Sequence, residues 1–190
     1  TGESYSAVKN SPHLELFRKE GVEVLLMHSR IDEWMMGHVQ EYDGKKFQSV
    51  AKGKLDLGKD EEKDQEPSAA DKSFLEKVQK HLKDHVSEVT ASSRLVDSAS
   101  CLVMDEHAMA IHMQKLMEQA GQAMPGQLPA LELNLEHPLV QHIEHIDSDD
   151  QFKQWSELLY EQALLAEGGQ LKNPADHVHK MNQLMLDILK

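Results

Sequence analysis

The chain has 190 residues, 39% apolar and 28% charged, enough to build a core and too apolar for wholesale disorder. A formal charge of -13, from 20 Lys and Arg against 33 Asp and Glu, repels polyanions and argues against nucleic acid or anionic membranes as partners. No apolar run is longer than that of Val24 to Met27, far short of the roughly 20 residues that cross a bilayer.

In chain order, Thr1-Gly2-Glu3 lacks an initiator Met, so a piece of a longer protein is expected. Ser11-Pro12 then puts a cap residue before a proline at the first helical position, and Gly21 can close a helix bearing Leu14, Leu16 and Phe17. The unalternating run Val22 to Met27 predicts a strand covered on both faces, and Ile31 to His38 a second helix. Phe47 to Val50 would supply another strand after the Asp43-Gly44 turn, giving residues 1–52 the pattern of an α/β layer. From Gly53 the composition becomes acidic and glycine-bearing up to Pro67, which marks 53–67 as a charged linker.

Beyond the linker, Phe74, Leu75, Val78 and Leu82 fall at helical spacing. Val86 to Val89, Cys101 to Met104 and Leu131 to Leu133 read as three strands, and the alternation of the last suggests one wet face. Pro138 opens a helix, Ser148 with Gln151 makes a capping-box pattern for the next, and Asn173-Pro174 caps a third after Gly168-Gly169. The last two helices form a hairpin. Phe152, Trp155, Leu158, Leu159 and Leu165 line one of them; Val178, Met181, Met185 and Ile188, widened by Leu184 and Leu189, line the other. That much apolar surface needs a further cover. The fold class is therefore α/β in the α+β sense, with 68–190 forming a small three-stranded sheet with helices and the C-terminal hairpin.

Few residues carry chemistry. Twelve histidines include the pairs His142 with His145 and His177 with His179, but one cysteine and no His-Glu-x-x-His pattern leave no recognisable metal set, and solvated surface positions are expected for them. Cys101 lies among apolar neighbours as a buried thiol, and its inability to form an internal disulfide suits a reducing, cytoplasmic setting. With no Gly-rich phosphate loop and no Gly-x-Ser-x-Gly elbow, no catalytic, metal or cofactor residue is assigned. Met109, Met113, Leu116, Met117 and Ala120 recur at i, i+4, i+7, i+8 and i+11. Both an ordinary core-facing helix and an exposed, adaptable apolar strip fit that pattern. Trp34-Met35-Met36 makes a second patch of residue types that packing and binding both favour.

Lys9-Asn10-Ser11-Pro12-His13-Leu14-Glu15, Gly21-Val22-Glu23-Val24-Leu25 and Arg30-Ile31-Asp32-Glu33-Trp34-Met35-Met36 closely resemble the end of the middle domain of the heat shock protein 90 chaperones, nearest their bacterial branch. The resemblance continues through Phe47-Gln48-Ser49-Val50, Met113-Gln114-Lys115-Leu116, Leu131-Glu132-Leu133-Asn134 with His137-Pro138, and Gln162-Ala163-Leu164-Leu165-Ala166-Glu167. It implies an ATP-dependent, stress-response, protein-folding machine of which 1–52 ends the middle domain and 68–190 is the dimerisation domain. ATP with its Mg, and the catalytic arginine, would lie upstream, so this piece itself would be neither an enzyme nor a cofactor binder. The implied partners are a second copy and unfolded or partly folded clients. The implied dimer contact is Trp155, Leu158, Leu159, Leu165, Val178, Met181, Leu184, Met185 and Ile188, closing as a four-helix bundle. The implied client contact is Trp34, Met109, Met113, Leu116 and Met117. Leu135 stands where the family often has proline, and Met117 where a larger aromatic is expected. The acidic pentapeptide tail of eukaryotic members is missing after Lys190, which suits a bacterial source and no tail-binding cochaperone. Two readings outside the resemblance are a metal-dependent hydrolase using the histidines and a purely structural dimerisation module.

Overall fold

The computed structural model describes residues 1–53, 55, 67–106, 108–122 and 127–188, and of the side chains of Arg30, His112 and Leu116 nothing is described. The predicted linker therefore falls mostly outside the described residues.

Local rules account for the first elements. Helix α1 (Tyr5–Lys9) starts where the Ser4 hydroxyl accepts from the Ala7 amide at 3.2 Å. Pro12–Leu14 forms one 3-10 turn capped by Ser11 and leads into α2 (Glu15–Glu20), which Gly21 ends at φ 67°, a conformation that favours glycine. Val22 to Met27 has no regular secondary structure and pairs with no described strand, and Leu25 is 71% exposed. Its single ladder-like bond runs from the Gly2 amide to the Met27 carbonyl at 3.1 Å. The predicted two-sided burial is thus not realised, because a strand is covered only where neighbours supply hydrogen-bond partners and side chains on both faces.

Helix α3 (Arg30–Met36) follows, with the Ser29 amide donating to Asp32 at 2.8 Å. Strands β1 (Glu41–Tyr42) and β2 (Lys45–Lys46) pair across Asp43-Gly44, both residues at positive φ. That two-residue turn sets Tyr42 directly opposite Lys45. The ladder therefore lies at the turn rather than at the predicted Phe47–Val50, of which Phe47 adds one bond to the Gln40 carbonyl.

The remaining elements are α4 (Ala69–Leu82), β3 (Val89–Ala91), β4 (Ser100–Val103), α5 (Ile111–Gln119), β5 (Ala130–Leu133), α6 (Pro138–Glu144), α7 (Asp149–Ala166) and α8 (Pro174–Ile188). The sheet order is β3-β5-β4, with β3 parallel and β4 antiparallel to the central β5. The first strand begins later than the predicted Val86, which is buried in the approach to it. Leu131 and Leu133 of β5 point into one core with Leu102, Val78, Leu82, Phe152, Leu159 and Leu184. The Ser100 hydroxyl fastens β4 to α7 through the Leu159 carbonyl at 3.0 Å.

The opposite face of β5 is not wet as its alternation suggested. Glu132 there accepts from Arg94 Nε at 3.0 Å and from the Ser92 hydroxyl at 2.8 Å, and Arg94 is 2% exposed. The other guanidinium nitrogens donate to the Val50 carbonyl (2.9 Å) and the Gly53 carbonyl (2.7 Å), so one buried cation ties residues 50–53 to the sheet. Nearby, the Glu15 carboxylate accepts from the amides of Val96 and Asp97 (2.7 Å each) and of Ser98 (3.1 Å), and from the Ser98 hydroxyl. Burial raises the Glu15 pKa, but the Ser98 hydroxyl and the three amides outweigh it and hold this carboxyl below the ordinary glutamate value. Cys101 is fully buried beside Leu95 and Val103, and burial, followed by the Glu132 charge, pushes its thiol well up, so it stays protonated.

Arg94→Met should destabilise the chain by about 3–5 kcal/mol in denaturant unfolding, because Glu132 is left buried without its cation. A loss below about 1 kcal/mol would contradict this. A carboxyl with a depressed folded pKa adds stability above its unfolded value, about 4.3 for Glu, and loses it as pH falls through the folded value. The parent should therefore lose more stability than Glu15→Gln in acid below that range, and parallel pH profiles would contradict the Glu15 bonds.

Candidate dimer and client surfaces

The hairpin of α7 and α8 is built by capping and glycine chemistry. Ser148 accepts from the Gln151 amide at 3.4 Å and Asn173 from the Asp176 amide at 3.3 Å. Between the helices Gly168 sits at φ 76°, and a Cβ on Gly169 would stand 2.3 Å from the Leu164 side chain and 2.9 Å from its carbonyl, so the turn is tight.

A polar rib joins the helices along one side. His177 Nδ1 meets Glu161 at 2.7 Å, and Lys180 bonds Glu157 at 2.7 Å and Glu161 at 3.2 Å. Burial lowers the Lys180 pKa, but bonding and attraction to Glu157 and Glu161 outweigh it, so this ammonium stays charged above the ordinary lysine value. His177 is thus buried and paired, where the sequence suggested a solvated ring; the three-residue step to Lys180 points both at the same acidic turn of α7. His13, also buried, faces Glu167 at 2.8 Å, whereas His142, His145 and His179 are exposed as expected. Among the described residues no three His, Cys, Asp or Glu gather where they could hold a metal ion.

The apolar residues named for the hairpin divide by face. Trp155, Leu158, Leu159 and Leu184 lie inside the chain's own core, and Met181 packs half-buried against it. Leu165, Val178, Met185 and Ile188 face outward, and Leu186 joins them, unmarked by the spacing used to read the stripe. The contrast is sharpest between neighbours: Leu184 is 1% exposed and Met185 52%. Leu189 lies outside the described residues.

On α3, Trp34 is 65% exposed, flanked by exposed Ile31 and Met35, with the His38 ring against the indole at 4.5 Å between centroids. Tyr42 and Phe47 of the following hairpin are also exposed, a pair the sequence reading did not include, since no periodicity marks them. The methionine segment is helical only from Ile111, so Met109 precedes α5 and is exposed, while Met113 and Met117 are half-buried. The core cluster and its half-buried neighbours include Ile111 but none of these three methionines. The side chain of Leu116 lies outside the described residues.

No helix among the described residues is long and apolar enough to cross a membrane. The model of the Hsp90 protein family matches residues 1–190. The chain belongs to the Hsp90 family. Over 191 residues it is 52% identical to the chaperone protein HtpG of Dechloromonas aromatica, covering 98% of this chain and 30% of that protein. HtpG of Legionella pneumophila (strain Paris) is 46% identical over 190 residues, and that of Pseudoalteromonas translucida 50% identical over 193, with 98% and 99% of this chain covered and 30% of each relative. This Hsp90 chain therefore spans about a third of the length of these relatives.

The two faces of α8 should separate in mutagenesis. In dilute solution Leu184→Ala should cost about 2–5 kcal/mol of unfolding free energy, and Met185→Ala no more than about 0.5 kcal/mol. Equal costs would contradict the division of the helix.

Proposed function

We propose that this chain is the C-terminal part of an ATP-dependent bacterial chaperone of the Hsp90 type, providing its homodimer contact and part of its client-binding surface. Residues 1–52 end the middle domain, 53–67 link, and 68–190 dimerise, with ATP binding and hydrolysis in other parts of the longer protein and the cytoplasm as its setting. The observation that carries this reading is the outward apolar face of the hairpin. Val178, Met185, Leu186 and Ile188 of α8 remain exposed together with Leu165 of α7 after the core is complete. Exposed apolar residues gathered on one hairpin suit an interaction site, and a second copy offers the same residues, as a two-fold contact requires.

For clients, the reading rests on Trp34 and the three methionines that the core does not absorb. Methionine side chains fit varied shapes at little strain, and an aromatic anchor contributes large buried area, worth about 25 cal/mol per Å². Such a surface accepts exposed apolar segments of partly folded proteins without reading one sequence.

Light scattering coupled to size exclusion should give a mass near twice 21.5 kDa for the chain and near 21.5 kDa for Val178→Asp with Met185→Asp. A parent that stays monomeric at all accessible concentrations would overturn the dimer. Replacing Met109, Met113 and Met117 together by Ser should weaken binding of an unfolded protein several-fold while the dimer mass is kept. Equal affinity for parent and variant would overturn the client strip.

A further inference from the structure

Two attachments of helix α5, at Ile111 and Lys115, lie on the side away from its methionines. At about 100° per residue, Ile111 and Lys115 lie within about 40° of one another, whereas Met113 and Met117 are each about 160° from Lys115. Ile111 packs against the core, and one turn later Lys115 reaches two acceptors from distant parts of the chain. Its Nζ stands 3.1 Å from Glu3 Oε1 and 3.1 Å from the Gly168 carbonyl in the turn between α7 and α8. Gly168 is at φ 76°, and a Cβ there would lie 3.4 Å from the Glu3 carboxyl carbon, so the turn and the first segment approach closely where the lysine arrives. The Gln114 side-chain amide donates to the Met109 backbone carbonyl at 2.9 Å, just ahead of the helix.

We propose that Lys115 is a positioning residue that holds the methionine strip in place, by tying the back of α5 to Glu3 and to the Gly168 carbonyl. A helix of nine residues is marginal by itself. Packing at Ile111 secures its first turn, and Lys115 secures the next. The tie also makes the strip answer to two other regions, the first residues of the chain and the turn of the proposed dimer hairpin. The inference rests on the client reading of the strip, and the experiment keeps the two apart.

The experiment uses the 190-residue chain and reduced, carboxymethylated α-lactalbumin as a permanently unfolded probe. Hydrogen exchange is followed at the amides of Met113 to Gln119. Lys115→Met should speed that exchange and weaken probe binding, each by about threefold, the scale of a partly exposed ion pair. Lys115→Arg should keep both near the parent. Glu3→Lys combined with Lys115→Glu should recover part of the exchange and binding relative to either single change, through the restored ion pair alone, since a glutamate cannot donate to the Gly168 carbonyl. Unchanged exchange in Lys115→Met would overturn the tie, and no recovery in the charge-reversed pair would overturn its Glu3 half. The two readings are separable: if the Met109, Met113 and Met117 to Ser variant binds the probe like the parent, the client strip fails and the binding half of this inference fails with it, while exchange still decides whether Lys115 holds the helix.

Discussion

The structure turns on the two unlike faces of β5. One is covered by hydrocarbon from α4, α7 and α8, the other by the guanidinium of Arg94 on Glu132. Removing a cation from water is expensive, and the cost is met only where its donors all find acceptors in good geometry. Here Nε goes to Glu132, while the remaining nitrogens go to carbonyls at Val50 and Gly53, in a different part of the chain. Such a site adds little net stability over a hydrocarbon equivalent, but it admits one arrangement of the parts it joins. With the Glu15 carboxylate bound at 96–98, it determines how residues 1–53 lie against the sheet.

That arrangement decides which apolar residues are left over. Once the core takes Trp155, Leu158, Leu159 and Leu184, the hairpin retains an outer face, and once it takes Ile111, the methionines of α5 remain at the periphery. Trp34 stays outward on α3, whereas Leu14 and Phe17 of the preceding turns are buried. Function in this Hsp90 chain is accordingly proposed for what the fold does not bury. The proposed roles draw on exposed area and shape.

Helices were the most legible part of the sequence, since Ser11-Pro12, Gly21, Ser148 and Asn173-Pro174 carry their boundaries in the residues themselves. The pattern Leu131-Glu132-Leu133 located the central strand but not the partner of its middle residue, because an alternating pattern is the same whether water or an arginine from elsewhere meets the carboxylate. The stripe on α8 told that the helix is amphipathic, yet not that Leu184 and Met185 part company, a division made by where α7 and the sheet sit. Val22 to Met27 had a strand's composition without a strand's neighbours. Family membership was readable from segments such as Arg30 to Met36, long enough to be specific, and it is now carried by identities near 50% along the whole chain.

In the proposed dimer the outer face of the hairpin, and not the inner one, meets a second copy of the chain. Hydroxyl-radical footprinting across a concentration series reads this residue by residue, with Met185 as the reporter and exposed Trp34 as the internal reference. Met185 should become protected as concentration rises while Trp34 stays reactive. Met185 oxidised equally at every concentration, in a range where the mass doubles, would contradict it.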